Sequence, residues 1–478
     1  MTKSYLGGSN SLERGADIRY FKTMEMIEKS DNQALLTDLY EFTMAACYYK
    51  YQMFAPATFS LFIREYPPHR GYFVSAGLED VLCFLEAFHF NQEDLDYLDN
   101  LSIFPKDFLH YLSTLRFTGD VFAIPEGRIF FKDEPILEIT APIIEAQLVE
   151  PFVINAINFQ TSIATKASRC VYAAKGRNLV DFSLRRTQGG DAGLKVARAS
   201  YMVGFVGTSN VLAGKCYNIP VFGTMAHSFI TSFEREIDAF RAFSKIFPEN
   251  TVLLIDTYDT IIGAHKAAIV GKELLYQGKK LKGVRLDSGD IVSLSKEVRQ
   301  VFKEAGLNNV MIFVSGGFDE YKIAKVLEEG AKIDAFGVGT KMGVSADAPY
   351  TDIAYKLVQY DGRPVLKLST GKKTIVGEKQ LFRLREKNKL QKDIIALRTE
   401  RLDGEPLLIP VMKDGKRLIH SEPLTKIRER FQTEFAALDN AYKRLENPEV
   451  FLVELSGELQ KLQKQVVFKI IEKELGES

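Results

Sequence analysis

The sequence contains no tryptophan and only four cysteines, which form no CxxC pair. Cys47, Cys83, Cys170 and Cys216 lie far apart along the chain. This spacing argues against a structural zinc site and against a disulfide framework. We therefore expect reduced, mostly buried thiols in an intracellular protein.

The chain also lacks an excess of charge of either sign, since 62 Lys and Arg residues balance 62 Asp and Glu residues. This balance argues against a general nucleic-acid binder and against a protein held to a membrane by charge. There is no apolar run of about 18 residues, and residues 1–22 contain no signal-peptide core. The sequence therefore predicts a cytoplasmic protein.

Two common phosphate-binding patterns are missing as well. The sequence has neither GxGxxG nor GxxxxGK[ST], and the GKKT at 371–374 has no upstream glycine. A Walker-type ATP site is therefore not supported.

Composition and periodicity divide the 478 residues into four segments. Residues 1–30 predict a loosely held, flexible N-terminal arm. Residues 31–147 mix helices and strands in blocks, which predicts an α+β domain, and strand-like segments in 350–411 complete its sheet. Residues 148–349 begin with helix and then alternate strands with helices, which predicts a barrel or an open α/β sheet. Residues 412–478 predict a helical C-terminal extension.

Six short apolar strands are predicted in the alternating segment, and their composition is typical of buried parallel strands. They are Asn178–Leu184, Ile219–Thr224, Thr251–Asp256, Gly283–Asp287, Met311–Ser315 and Ala335–Gly339. The carboxyl ends of parallel strands meet at one edge of the sheet, and ligands bind there.

Polar and glycine residues gather at that edge, a pattern that a core does not need. They are Arg185, Arg186, Thr224, His227, Asp256, Arg285, Asp287, Ser315, Gly316, Gly317, Gly337, Gly339, Thr340 and Lys341. Rigid arginine donors suit an anionic, phosphorylated substrate. The glycines can make tight turns, or they can expose backbone N–H groups to a phosphate. We interpret this edge as an active site.

His227 differs from the other histidines because it follows a predicted strand and opens a helix. Its imidazole can take up a proton, bind a metal or accept a phosphoryl group, and metal binding is the weakest option because no second histidine is near. Asp256, Asp287 and Asp290 can orient His227 or hold Mg²⁺ through water.

Taken together, eight ordered motifs resemble the nicotinate phosphoribosyltransferases, which are type II phosphoribosyltransferases. They are TDLYEFTM (37–44), FSLRRTQGGDAG (182–193), GTSNVLAG (207–214), GTMAHS (223–228), LLIDTYDT (253–260), RLDSGD (285–290), FVSGGFDE (313–320) and FGVGTKMG (336–343). The resemblance covers roughly residues 31–411.

The resemblance implies an α/β fold, in which an incomplete TIM-like barrel over 148–349 lies beside an α+β open-faced sandwich. It implies that nicotinate attacks C1 of phosphoribosyl pyrophosphate, with Mg²⁺ accompanying the phosphates and no tightly bound cofactor. ATP hydrolysis is coupled through a phosphohistidine. The family forms homodimers whose active sites lie at the subunit interface.

The resemblance also assigns roles to residues that contact the base. Phe182 and Tyr40 of the other subunit would sandwich the pyridine ring. Arg185 or Arg186, together with Arg285, would bind the carboxylate or the pyrophosphate.

Other residues would contact the sugar and its phosphates. Asp287 would lie near the ribose or Mg²⁺, and Thr224 near the substrate. His227 would be the phosphorylated residue, held by Asp256. The 5′-phosphate would lie in a cradle built from Ser315, Gly316, Gly317, Gly339 and Thr340. Arg64, in FIREYPP, would reach the phosphate from the partner subunit.

Ser209 bears on the choice between nicotinate and nicotinamide. The related nicotinamide enzyme has an aspartate in this turn, which accepts a hydrogen bond from the carboxamide and repels a carboxylate. Serine removes that repulsion, so nicotinate is favoured.

Other activities compete with this interpretation. A nicotinamide or quinolinate phosphoribosyltransferase would share the superfamily fold. A TIM-barrel lyase or glycosidase needs paired carboxylates, which suit this arginine- and glycine-rich edge less well. A binding protein without activity has no need of His227, Asp256, Arg285 and Asp287 together.

Overall fold

The computed structural model describes residues 33–368 and 374–475. The described chain forms two compact units. One contains the residues up to Ser162 and from Tyr350 onward, and the other runs from Ile163 to Pro349. The predicted arm at 1–30 lies outside the described residues, as do three of the four residues of GKKT.

The first unit is built on a seven-stranded antiparallel sheet. In spatial order its strands are Arg363–Pro364, Ile353–Tyr360, Pro56–Ile63, Leu137–Pro142, Asp120–Ala123, Ile409–Lys413 and Lys416–Arg417. Strands from beyond Tyr350 thus pair directly with strands from the N-terminal part of the chain. The two parts of the chain therefore share one sheet and contribute to one buried core.

Two smaller sheets belong to the same unit. One contains, in spatial order, Glu405–Pro406, Lys379–Glu386, Lys389–Leu397 and Val453–Leu455. The other pairs Phe73–Val74 with Ile129–Phe130. The C-terminal segment is therefore not wholly helical, since it supplies the strands Lys416–Arg417 and Val453–Leu455. Val453–Leu455 is a strand because it pairs with Asp393–Ile395.

Helices cover these sheets and close the core of the first unit. They are Leu39–Lys50, Leu78–Ala87, Gln92–Asn100, Lys106–Thr114, Ile143–Leu148, the part of Glu150–Ala173 up to Ser162, Leu424–Ala437, Asn440–Lys443 and Gly457–Ile470, with a π-helical turn at Ile471–Leu475. The rest of the helix Glu150–Ala173 belongs to the second unit. Aromatic side chains fill much of the core: the Phe84 and Phe152 rings stack with centroids 3.8 Å apart. Such pairs stabilise a core beyond the apolar area that they bury.

The second unit contains a six-stranded sheet in which every pair is parallel. In spatial order its strands are Gly207–Thr208, Asn178–Asp181, Ala335–Val338, Met311–Val314, Gly283–Leu286 and Val252–Leu254. Their apolar side chains are mostly buried, as in parallel sheets covered on both faces. The mixed α/β class with a parallel sheet is confirmed.

Helices connect these strands. They are a 3₁₀ turn at Leu184–Arg186 and the α-helices Gly190–Met202, Val211–Tyr217, His227–Thr231, Glu236–Ile246, Thr260–Tyr276, Ile291–Glu304, Glu320–Glu328 and Thr340–Gly343. Aspartates cap three of them at the strand-end edge: Asp259, Asp290 and Asp319 accept hydrogen bonds from backbone amides of the first turn.

The predicted strand Ile219–Thr224 is wrong. Only Val221 joins the sheet, through a single bridge to Thr208. Its partner strand, Gly207–Thr208, is two residues long because Asn210 caps the helix that follows at once. The pairing therefore cannot continue past one rung.

None of the described helices is both long enough and apolar enough to cross a membrane. No disulfide joins the four cysteines, all of which lie among the described residues: Cys170 and Cys216 are buried, whereas Cys47 is exposed and Cys83 is half-buried.

Candidate active site

A buried carboxylate fixes the end of the strand Asn178–Asp181. Asp181 Oδ1 accepts hydrogen bonds from the amide and hydroxyl of Ser183, at 2.8 and 2.5 Å. Its Oδ2 accepts from the Thr208 hydroxyl at 2.7 Å. Burial raises the pKa of Asp181, and these hydrogen bonds oppose the rise. Sequence analysis missed this residue, although an acidic side chain inside an apolar strand was a usable signal.

The same strand end places Ser209. Its amide donates to the Asp181 carbonyl at 2.8 Å, and its side chain is half-buried. Ser209 therefore lies beside the end of the strand Asn178–Asp181, which Phe182 follows directly.

Phe182 packs against the strand Ala335–Val338. Its amide donates to the Val338 carbonyl at 2.8 Å, and its ring centroid lies 5.5 Å from that of Phe313. A Cβ at Gly337 would lie 2.7 Å from the ring, and one at Gly339 would lie 2.8 Å from the Phe182 carbonyl oxygen. Glycine is needed at both positions because the strands Asn178–Asp181 and Ala335–Val338 are direct neighbours, and Phe182 lies close to the backbone of the second.

Arg285 is the most enclosed cation at this edge. It donates to Thr224 Oγ1 at 2.8 Å, while its Nε is buried without a hydrogen-bond partner. Burial lowers the pKa of Arg285, Asp287 and Asp256 oppose this, and the charge of Arg185 adds to the lowering. Arg185 therefore lies near Arg285, and both Arg185 and Arg186 are exposed. This arrangement offers a concentrated positive charge to an anion.

Two aspartates lie next to Arg285. Asp287 Oδ1 accepts a hydrogen bond from the Ser315 hydroxyl. Asp256 Oδ2 accepts from the Asp287 amide and the Ser288 hydroxyl, each at 2.8 Å. Asp256 Oδ1 is buried without a partner. Asp256 thus positions the loop that carries Asp287.

The loop after Met311–Val314 is shaped by two glycines with left-handed backbones, Gly316 at φ 100° and Gly317 at φ 67°. A Cβ at Gly316 would lie 2.1 Å from the Asp287 carbonyl oxygen, so no other residue fits there. Lys322, which sequence analysis missed, donates to the Gly316 carbonyl at 2.7 Å. Lys322 is the third residue of the helix that follows the loop, and a lysine at that position could have been recognised in the sequence as a contact of the loop.

The loop after Ala335–Val338 lies beside it, because these two strands are neighbours in the sheet. Gly339 and Thr340 open the short helix Thr340–Gly343. Lys341 forms an ion pair with Asp319 Oδ2 at 2.8 Å, which ties the two loops together. Backbone N–H groups and two lysines thus surround one small region.

His227 begins the helix His227–Thr231 and is half-buried. Its Nδ1 lies 3.1 Å from Thr257 Oγ1. The expectation that Asp256 holds His227 is wrong, because one Asp256 oxygen binds the Asp287 loop and the other has no hydrogen-bond partner. The neighbouring Thr257 takes that place.

Three family models match along the chain: the nicotinate phosphoribosyltransferase N-terminal domain over 35–158, the family itself over 177–393 and its C-terminal domain over 355–463. A nicotinate phosphoribosyltransferase of Mycobacterium tuberculosis is 48% identical over 417 residues, covering 87% of this chain and 89% of the relative. The chain belongs to the nicotinate phosphoribosyltransferase family.

Other similarities extend over nearly the whole length. A nicotinate phosphoribosyltransferase of Bacillus subtilis is 36% identical and covers 94% of this chain and 99% of the relative. The crystal structure of human nicotinic acid phosphoribosyltransferase superposes with a TM-score of 0.81 at 28% identity, covering 90% of this chain and 99% of that one. The family resemblance drawn from the motifs is thereby confirmed. The C-terminal family domain also includes most of the tail beyond residue 420.

Two residues that the family resemblance names lie in the first unit. The Tyr40 side chain is 51% exposed on the helix Leu39–Lys50. Burial raises the pKa of the adjacent Glu41 to about 7. Arg64 pairs with Asp352 Oδ1 at 3.5 Å. Each is held in place within its own unit.

The carboxylates of the site suit a magnesium ion that arrives with a phosphorylated substrate. The described residues contain no group of three side chains that could hold a metal by themselves. Magnesium, however, typically takes one or two carboxylates and completes its shell with substrate phosphates and water. Asp287 and the unpartnered Asp256 Oδ1 match that requirement.

Proposed function

We propose that this chain is an ATP-coupled nicotinate phosphoribosyltransferase. It would convert nicotinate, phosphoribosyl pyrophosphate, ATP and water into nicotinate mononucleotide, pyrophosphate, ADP and phosphate. The observation that carries the proposal is Arg285, a largely buried guanidinium with an unpartnered Nε, set among Asp287, Arg185 and two glycine loops. The enzyme would act in the cytoplasm as the first step of NAD salvage from nicotinate.

We infer that the parallel sheet is an incomplete barrel. The strand order, Gly207–Thr208 followed by Asn178–Asp181 and then the later strands in reverse sequence, is cyclic. Such an order arises when a barrel closes between its first and last strands and stays open elsewhere. Here the opening would lie between Val221 and the strand Val252–Leu254. We also propose the domain boundaries expected from the sequence, with the barrel over residues 148–349.

The first task of the site would be to hold the base. Phe182 would cover one face of the pyridine ring, and Tyr40 of a second subunit would cover the other, which makes a homodimer part of the proposal. Arg285 with Arg185 would bind the nicotinate carboxylate or the pyrophosphate. The pyridine nitrogen already carries a lone pair, so no general base is required. The residues therefore act by orientation and by charge.

The second task would be to hold the phosphates. Backbone N–H groups at Gly316, Gly317, Gly339 and Thr340 would bind the 5′-phosphate, with Ser315 beside them. Arg64 of a second subunit would reach the same group. Asp287 would lie near the ribose. Asp287 and Asp256 would hold Mg²⁺, and that ion would supply positive charge to the pyrophosphate group.

The third task would be the coupling to ATP. His227 would accept the γ-phosphoryl group, and hydrolysis of the phosphohistidine would accompany the transfer reaction. The half-buried ring supports this role, because Thr257 contacts its Nδ1 and its Nε2 has no hydrogen-bond partner among the described residues.

A test of this proposal compares nicotinate mononucleotide formation with and without ATP in the wild-type protein and in His227→Ala. The wild-type rate should rise with ATP, whereas in the variant the ratio of the two rates should fall to about one. His265→Ala is the matched control, since His265 is exposed on another helix of the same unit. Wild-type product that forms only from nicotinamide or quinolinate would overturn the assignment.

Ser209→Asp should shift the choice of base. The new carboxylate would repel nicotinate and accept from a carboxamide, so the ratio of kcat/KM for nicotinate to that for nicotinamide should fall by about tenfold to a hundredfold. Ser209→Asn, which has a similar shape and no charge, should change the ratio much less. An unchanged ratio in Ser209→Asp would show that this position does not read the substrate.

A further inference from the structure

His227 is held by a neutral hydroxyl and not by a carboxylate. Its Nδ1 lies 3.1 Å from Thr257 Oγ1, and no other hydrogen bond of the ring occurs within the described part of the chain. Asp256, directly before Thr257, is committed to the loop of Asp287 and Ser288. Whether a hydroxyl or a carboxylate contacts Nδ1 affects the protonation of the ring and therefore which nitrogen can react.

We propose that Thr257 is a positioning residue, which holds the His227 ring through Nδ1 and directs phosphorylation to its Nε2. The inference rests on the proposed function, because it concerns the phosphohistidine step. A neutral imidazole carries one N–H and one lone pair. When Nδ1–H donates to Thr257 Oγ1, the lone pair is on Nε2, the nitrogen that Thr257 leaves free to react.

The chemistry of the step favours this arrangement. The Nε2 lone pair forms a bond to the γ-phosphorus of ATP, the bond from that phosphorus to the bridging oxygen breaks, and ADP leaves with the electron pair. The ring keeps its Nδ1 proton and gains positive charge, so its hydrogen bond to the hydroxyl strengthens. In hydrolysis, water bonds to phosphorus and the electron pair of the N–P bond returns to Nε2.

A carboxylate in the same place would work less well. It would favour the doubly protonated imidazolium before the reaction, and in that form Nε2 has no lone pair to react. A threonine hydroxyl accepts the Nδ1 proton without adding charge. This explains why the Asp256 carboxylate is turned toward Asp287 while its neighbour contacts the ring.

The test uses three variants of the full chain and [γ-³²P]ATP. Thr257→Val removes the hydroxyl at nearly constant volume, and Thr257→Ser keeps it. Thr231→Val is the matched control, because Thr231 is exposed on the His227 helix and its hydroxyl bonds only the Ser228 carbonyl. The measured quantities are the rate of acid-labile labelling and the split of label between Nδ1 and Nε2 after alkaline digestion.

In the wild-type protein, Thr257→Ser and Thr231→Val, the label should appear on Nε2 at similar rates. Thr257→Val should be labelled about threefold to tenfold more slowly, the effect of losing one neutral hydrogen bond, and part of the label should move to Nδ1. Wild-type rate and position in Thr257→Val would overturn the role of Thr257 while leaving the proposed function intact. A wild-type protein that is not labelled and does not respond to ATP would overturn both.

Discussion

Replacing Arg285 with glutamine is expected to lower kcat/KM for mononucleotide formation by about 10²-fold to 10⁴-fold. Each charge-assisted hydrogen bond to an anion contributes about 1.5–3 kcal/mol, and a guanidinium offers two parallel ones. Arg285 is already largely desolvated, and its Nε has no protein partner. Little further desolvation is needed when the substrate binds, so most of the interaction would appear as substrate or transition-state binding.

Steady-state kinetics with each substrate varied in turn would measure the effect and show which substrate Arg285 binds. Arg285→Lys should recover only part of the loss, because an ammonium group cannot form the paired contact. Arg241→Gln is the control: Arg241 is exposed in the same unit and pairs with Glu273 at the surface, so its loss should matter little. Activity of Arg285→Gln within threefold of wild type would contradict the assignment.

The parallel sheet was largely predictable because its strands are short, buried and apolar. Five of the six predicted strands occur, although the strand predicted at Asn178–Leu184 ends at Asp181. The strand predicted at Ile219–Thr224 does not form, because its neighbour in the sheet, Gly207–Thr208, is too short to pair along its length. The register and the length of a strand pair depend on both strands. They cannot be predicted from the hydrophobic periodicity of one strand alone.

Part of the candidate site could likewise be predicted from the sequence, and part could not. Arg285, Asp287 and His227 are marked by their position just after apolar strands, and that signal is local. The contacts of Asp181 with Thr208 and of Thr257 with His227 join residues 27 and 30 positions apart. A sequence pattern does not say which of two adjacent residues, Asp256 or Thr257, faces the histidine. Side-chain direction at the end of a strand decides it.

The largest effect on stability is expected at Glu320, a buried carboxylate at the start of the helix that follows the Gly316–Gly317 loop. Its Oε2 lies 2.6 Å from Lys166 Nζ, and its Oε1 lies 2.9 Å from Arg169 Nε. The Glu320 side chain is completely buried, and those of both cations are 1% exposed. Burial lowers the pKa of Lys166, but Glu320, Cys170 and Asp347 together more than offset this, so the pKa of Lys166 is raised.

Glu320→Ala should therefore lower the free energy of unfolding by about 3–5 kcal/mol, because two cations stay buried while their shared carboxylate is lost. Lys166 keeps its pair with Asp347 Oδ1, at 2.6 Å, so the loss falls mainly on Arg169. For a unit of this size, that change corresponds to a fall in Tm of roughly 6–20 °C, measurable by calorimetry. Glu328→Ala, an exposed position on the same helix, should shift the free energy by less than about 0.5 kcal/mol. Equal Tm values for the two variants would mean that water or another group compensates the cations. In that case, the Gly316–Gly317 loop would not depend on this ion network for its position.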